Sequence, residues 1–222
     1  MRKKLFNYSL PLIALAAVVS CNAEKSKLTY LPDESKMILV TDSLYEEDPE
    51  MTAMINPYKL KMDSIMNEVV GYSNETMDSK LPESALPQFV LNVMRTQAEK
   101  LTGEKVDVAL VNLGGLRSAL YKGDVTIGTI YSIFPFENAL TLIDIKGRDL
   151  KALYDVVNNR KRLAATVIPD IKDDQTYRVA TIDYLVDGND NASPLKSASN
   201  RKDTGLLLRD VIIDYYRTNN TK

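Results

Sequence analysis

An apolar run, Val106 to Val111, stops at Asn112-Leu113-Gly114-Gly115-Leu116-Arg117. The loose alternation and three valines of that run make it a buried strand. Its end is unusual for a plain strand. Two adjacent glycines let the backbone turn sharply and come close to a ligand, since no Cβ stands in the way. Arg117 adds a planar, permanently charged fork suited to phosphate, carboxylate or the edge of a base. Farther on, Phe134-Pro135-Phe136-Glu137-Asn138 sets an aromatic beside a proline. Glycine turn, cation and flat face together suit a ligand with a ring and a negative charge, such as a nucleotide. The plainer reading is a turn, a solvated arginine and two core phenylalanines.

Periodicity supplies the frame around that strand. Met37 to Thr41 reads as a short strand. Met54, Ile55, Tyr58, Met62, Ile65, Met66 and Val69 recur at three- and four-residue steps, one face of a helix. Asn56-Pro57 marks its expected start, and its methionines read as core filling. A second helix is expected from Ser84 to Leu101, closed by Gly103. After the strand ending at Asn112 come a segment from Val125 to Phe136 and a strand from Leu140 to Ile145. The Lys146-Gly147 turn leads into a helix from Arg148 to Val157. A strand from Tyr177 to Leu185 and a closing helix from Leu206 to Tyr216 complete the pattern. Strands and helices alternate without strict βαβ regularity, so the fold class is mixed α/β, with mixed sheets and layered helices.

The amino terminus points to export. Arg2, Lys3 and Lys4 precede an apolar stretch, Leu10 to Val19, too short to span a bilayer as a helix. Val18-Val19-Ser20-Cys21 is similar to a bacterial lipobox, in which cleavage exposes the cysteine for lipid attachment. Cys21 is the only cysteine, so no intramolecular disulfide can form. The expected organisation is a lipoprotein signal over 1–20, a polar tether over 21–36 and one domain over 37–222. The formal charge of −2 becomes −5 once Arg2, Lys3 and Lys4 leave with the signal. That balance gives no basic field for a nucleic-acid polymer.

From about Met37 to Tyr216 the chain resembles the C-terminal, substrate-binding domain of the 5′-nucleotidases, including the UDP-sugar hydrolases. The resemblance rests on four ordered elements. They are Asn112-Leu113-Gly114-Gly115-Leu116-Arg117, Gly123-Asp124-Val125-Thr126, Pro135-Phe136-Glu137-Asn138 and Lys146-Gly147-Arg148-Asp149-Leu150. A weaker fifth is Tyr184-Leu185-Val186-Asp187-Gly188-Asn189-Asp190. The resemblance implies that Asn112 and Arg117 hydrogen-bond the ligand while Gly114 and Gly115 let the loop approach. It also implies that Phe136 and Tyr184 sandwich a base, that Asn138 lies near that base and that Asp190 accepts from ribose hydroxyls. A stacked ring of this kind contributes about 1–3 kcal/mol in nucleic-acid settings.

Departures bound the implied function. Lys80-Leu81-Pro82 stands where the family usually places an arginine ahead of the helix at Glu83. Asn159 to Ile168 replaces a Gln-x-Ser-Gly stretch, and Gly188-Asn189-Asp190-Asn191 replaces Gly-Gly-Asp-Gly. Hydrolysis in the family uses two metals held in an N-terminal metallophosphatase domain, and this sequence contains no histidine. Neutral imidazoles are the usual means of holding such metals, and no Ser-His or Cys-His nucleophile can form either. The expected function is therefore the nucleotide-, nucleoside- or nucleotide-sugar-binding half of a phosphohydrolase. Divalent metals would be supplied by a separately encoded metallophosphatase, and no cofactor is expected in this chain. A stand-alone binding lipoprotein and a degenerate structural or interaction module are the alternatives. The expected location is the bacterial envelope, lipid-anchored through Cys21.

Overall fold

In a computed structural model, residues 47–219 are described. The signal, Cys21, the tether and the expected strand at Met37 to Thr41 lie outside the described residues.

β2 (Val108–Asn112) is buried at every position and lies inside a five-stranded sheet of order β5-β2-β6-β4-β7. Its neighbours are β5 (Leu163–Ala165), antiparallel, and β6 (Thr176–Ile182), parallel. β4 (Ala139–Lys146) runs antiparallel to β6 in register, from Leu140 opposite Ile182 to Lys146 opposite Thr176. β7 (Ser199–Leu207) closes the far edge against β4. A separate antiparallel pair joins β1 (Val69–Ser73) to β3 (Gly123–Thr126). The mixed α/β expectation holds, with antiparallel pairs in the majority.

This register decides where a ligand could bind. β2 and β6 are parallel and β4 opposes them. The carboxyl ends of β2 and β6 and the amino end of β4 therefore leave the sheet at the same side. The Asn112 turn, the segment before Ala139 and the Tyr184 segment all emerge there. Leu207 pairs with Ala139, so the chain leaving β7 arrives at that side as well.

Among the described residues, six α-helices accompany the sheets: α1 (Pro49–Met66), α2 (Ala85–Thr102), α3 (Ile127–Ile133), α4 (Gly147–Arg160), α5 (Asp183–Val186) and α6 (Leu208–Asn219). α2 buries Leu86, Val90, Leu91, Val93, Met94 and Ala98 and packs on β2 and α6. Each of these leucine, valine and methionine side chains taken from water contributes about 1.5–3 kcal/mol. Gly103 closes α2 with φ 69°, its N–H donating to Glu99 O, as its position in the sequence predicts. α3 opens on a capping box. Thr126 Oγ1 accepts from the Thr129 N–H, and Thr129 Oγ1 accepts from the Thr126 N–H.

Four sequence-based expectations are corrected here. α1 begins at Pro49, and Pro57 lies inside it rather than at its start. Pro49 takes the first helical position, where a missing N–H costs nothing. α1 buries none of its residues, so Met54, Ile55 and Met62 are exposed rather than core. Periodicity identifies a face without supplying a partner for it. The strand expected to reach Leu185 ends at Ile182, and Tyr184 stands on α5. The closing helix starts at Leu208, because Leu206 and Leu207 finish β7.

Candidate functional site

Six of the eight candidate binding residues gather at the same end of the sheet. β2 runs into a single tight helical turn, Leu113–Gly115, with the Leu116 N–H donating to Leu113 O. Asn112 is 6% exposed, and its Nδ2 donates to Asp190 Oδ2 at 2.8 Å. Its Oδ1 is buried and has no hydrogen-bond partner. A Cβ at Gly115 would come within 2.7 Å of that oxygen, so the second glycine leaves room for the Asn112 amide.

The Phe136 segment follows from its proline. α3 ends at Ile133, the buried Phe134 caps it, and Pro135 cannot continue the helix. The chain swings outward and leaves Phe136 49% exposed. The first residues of α6 hold this segment from behind. The Leu208 N–H donates to Asn138 O at 2.8 Å. Arg209, 8% exposed, lies over the Tyr131 ring at 4.7 Å and donates to Glu137 Oε1 at 3.2 Å and to Phe136 O at 3.5 Å.

The third segment carries Tyr184 and Asp190. Asn189 Nδ2 donates to Tyr184 O at 2.9 Å, folding the segment back on itself. Asp190 and Asn191 take φ values of 50° and 64°. That left-handed region admits Asp and Asn more readily than other residues with a side chain. Gly188, with φ 85°, keeps the first glycine of the family pattern, and Asn191 turns where that pattern has its last one.

Asn112, Gly114, Phe136, Asn138, Tyr184 and Asp190 together line one cleft of about 260 Å³. Phe136 and Tyr184 supply two exposed rings, while Asn112, Asn138 and Asp190 supply the polar groups. Such a mixture, apolar walls with a few placed polar atoms, is what orients a small ligand. Gly115 lies beside it, in a much smaller hollow shared with Leu116, Phe134 and Leu208. Arg117 is exposed and does not line the cleft; its backbone N–H donates to Ile133 O. Sequence reasoning missed Arg209, which lines no part of the cleft but holds the Phe136 segment from behind once β7 pairs with β4.

Among the described residues, no three Cys, Asp or Glu side chains come together as a metal site would require, and histidine is absent from the sequence.

Fold and cleft define a mixed-sheet α/β domain with a two-ring cleft at one end of its sheet. Residues 67–168 match the family described as 5′-nucleotidase, C-terminal domain. It is 26% identical to the trifunctional nucleotide phosphoesterase protein YfkN of Bacillus subtilis, over 86% of this chain and 15% of that one. It is 26% identical to the cell wall protein Lmo0130 of Listeria monocytogenes, over 76% of this chain and 27% of the relative. The chain thus spans less than a third of either relative. The 5′-nucleotidase precursor from Thermus thermophilus shares the fold, with a TM-score of 0.66 at 22% identity, over 78% of this chain and 41% of that one.

Proposed function

We propose that this domain grips the nucleoside part of a nucleotide, nucleoside or nucleotide sugar for a 5′-nucleotidase-type phosphohydrolase. One observation carries the reading: six residues chosen from sequence motifs line a single cleft with two exposed rings. The rings give affinity with little base preference, and the Asn112–Asp190 pair offers acceptors to hydroxyl donors. Hydrolysis is assigned to divalent metals on a separate metallophosphatase, since this sequence has no imidazole to hold them.

Calorimetry with adenosine, AMP, UMP and UDP-glucose tests the binding half. Phe136→Ala is expected to weaken every ligand by about 1–3 kcal/mol. Arg117→Ala is expected to weaken only the phosphate-bearing ones, because its guanidinium lies outside the ring-walled cleft. If wild-type protein binds none of them, or Phe136→Ala binds equally well, the cleft is not a nucleoside site. Mixing the chain with candidate metallophosphatases tests the other half. Faster phosphate release and co-elution support a two-chain enzyme, whereas binding without either supports a stand-alone capture protein.

The same proposal sets the protein at the bacterial envelope, tethered through a lipid on Cys21. Kinship with a cell wall protein supports an envelope setting. Cys21→Ser is expected to move the protein from the membrane fraction to the soluble exported one. Unchanged membrane association would remove the lipid anchor from the proposal.

A further inference from the structure

The two rings of the cleft come from segments far apart in sequence, yet a single carboxylate oxygen ties them together. Asp183 Oδ1 accepts from the Ala139 N–H at 3.1 Å and from the Tyr184 N–H at 2.8 Å. Ala139 opens β4, immediately after the Phe136-Glu137-Asn138 segment, and Tyr184 carries the other ring. We propose that Asp183 is a positioning residue that sets the gap between Phe136 and Tyr184. Its ligand consequence rests on the nucleoside reading above, but its geometric content does not.

Two backbone donors need an acceptor at this point. The Tyr184 N–H lies in the first turn of α5, where helix donors have no partner within the helix. The Ala139 N–H is turned toward Asp183. One carboxylate oxygen satisfies both donors at once. Beyond the backbone pairing that ends at Leu140 and Ile182, the remaining ties act on one segment at a time. Arg209 and Leu208 hold the Phe136–Asn138 side, and Asn189 holds the Tyr184 side. Asp183 spans both. A stacked base needs two faces at a fixed separation, so the residue that joins the two segments governs stacking without touching the ligand. It acts through Phe136 and Tyr184, not on the ligand itself.

The test uses the absence of tryptophan in this chain. Phe136→Trp makes one ring the sole indole reporter. In that background Asp183→Ala is expected to lower the ligand-free indole anisotropy and to raise acrylamide quenching about twofold, two N–H groups having lost their acceptor. Asp183→Asn, which keeps an oxygen at that place, is expected to restore both values. With Phe136 intact, the fluorescent analogue 1,N6-ethenoadenosine is expected to bind about tenfold more weakly to Asp183→Ala and near normally to Asp183→Asn. Unchanged anisotropy and quenching in Asp183→Ala would overturn the proposal. So would an Asn variant as damaged as the Ala variant, which would assign the effect to charge. If Asp183→Ala does not fold, Asp183→Glu moves the oxygen by one methylene and is expected to loosen the indole in the same way; a rigid indole there overturns the proposal. Failure of the wild type to bind the analogue would remove the nucleoside reading alone, because the ligand-free indole still reports on Asp183.

Discussion

Asn112 is the residue on which the cleft turns. It is almost fully buried, is bonded to Asp190 through Nδ2, and carries an unpartnered Oδ1. A buried carbonyl oxygen without a donor costs about 1–3 kcal/mol, and a ligand hydroxyl or amine would recover part of it. Gly115→Ala tests this arrangement, because the new methyl would press on Oδ1. The amide would have to rotate, breaking its bond to Asp190. We expect nucleoside affinity to fall about tenfold, comparable to the loss of one such bond, while the thermal midpoint drops only slightly. Affinity unchanged in calorimetry would show that the Asn112 amide plays no part in binding. The glycine pair and the asparagine were legible in the sequence, since their types announce close backbone approach. The orphaned oxygen was not, because burial is set by residues far along the chain.

At the scale of elements, the Lys146-Gly147 step shows how a short motif holds two layers together. Gly147 opens α4, and its N–H donates to Gln175 O at 2.9 Å. A Cβ there would overlap the backbone oxygen of Lys172. Backbone cannot swing aside as a flexible side chain does. Gly147→Ala should therefore destabilise the domain by about 1–3 kcal/mol, the range for forced overpacking. Chemical denaturation measures it; a shift of the midpoint near zero would mean the loop before β6 yields freely. Helices α2 and α4 were readable from apolar spacing and the Gly103 stop. α1 was readable as a helix but not as an exposed one. The end of β6 was misread at Tyr184, since Asp183 starts a helical turn by accepting from two backbone N–H groups, one of them on another strand. A window of local sequence contains only one of those partners.

For the whole molecule, two tyrosines give the folded state a distinct alkaline limit. Burial pushes the Tyr154 hydroxyl up to about 12, and it donates to Thr166 O at 2.6 Å. Burial, with Tyr215 beside it, pushes Tyr216 up to about 12 as well. Unfolded tyrosine titrates near 10, so between these values the folded chain holds protons that the unfolded chain has lost. That contribution is complete below pH 10 and disappears as pH rises through 12. Denaturant midpoints should thus fall steadily over that window, and Tyr216→Phe should flatten the decline. A midpoint flat from pH 9 to about 12 would place these phenols in water.

Composition and motif order alone determined that this chain builds a mixed α/β domain, lacks histidine for metal work and carries a glycine turn beside a strand. Those properties are local or additive, and each residue type brings its own steric and chemical limits wherever it sits. Tertiary structure alone decided that Asn112, Phe136, Tyr184 and Asp190 share one cleft while Arg117 stays outside it. The parallel alignment of β2 with β6, and the reversal of β4 between them and β7, gathers the loops at one end of the sheet. Strand order depends on contacts between residues distant in sequence, and no spacing along the chain encodes it.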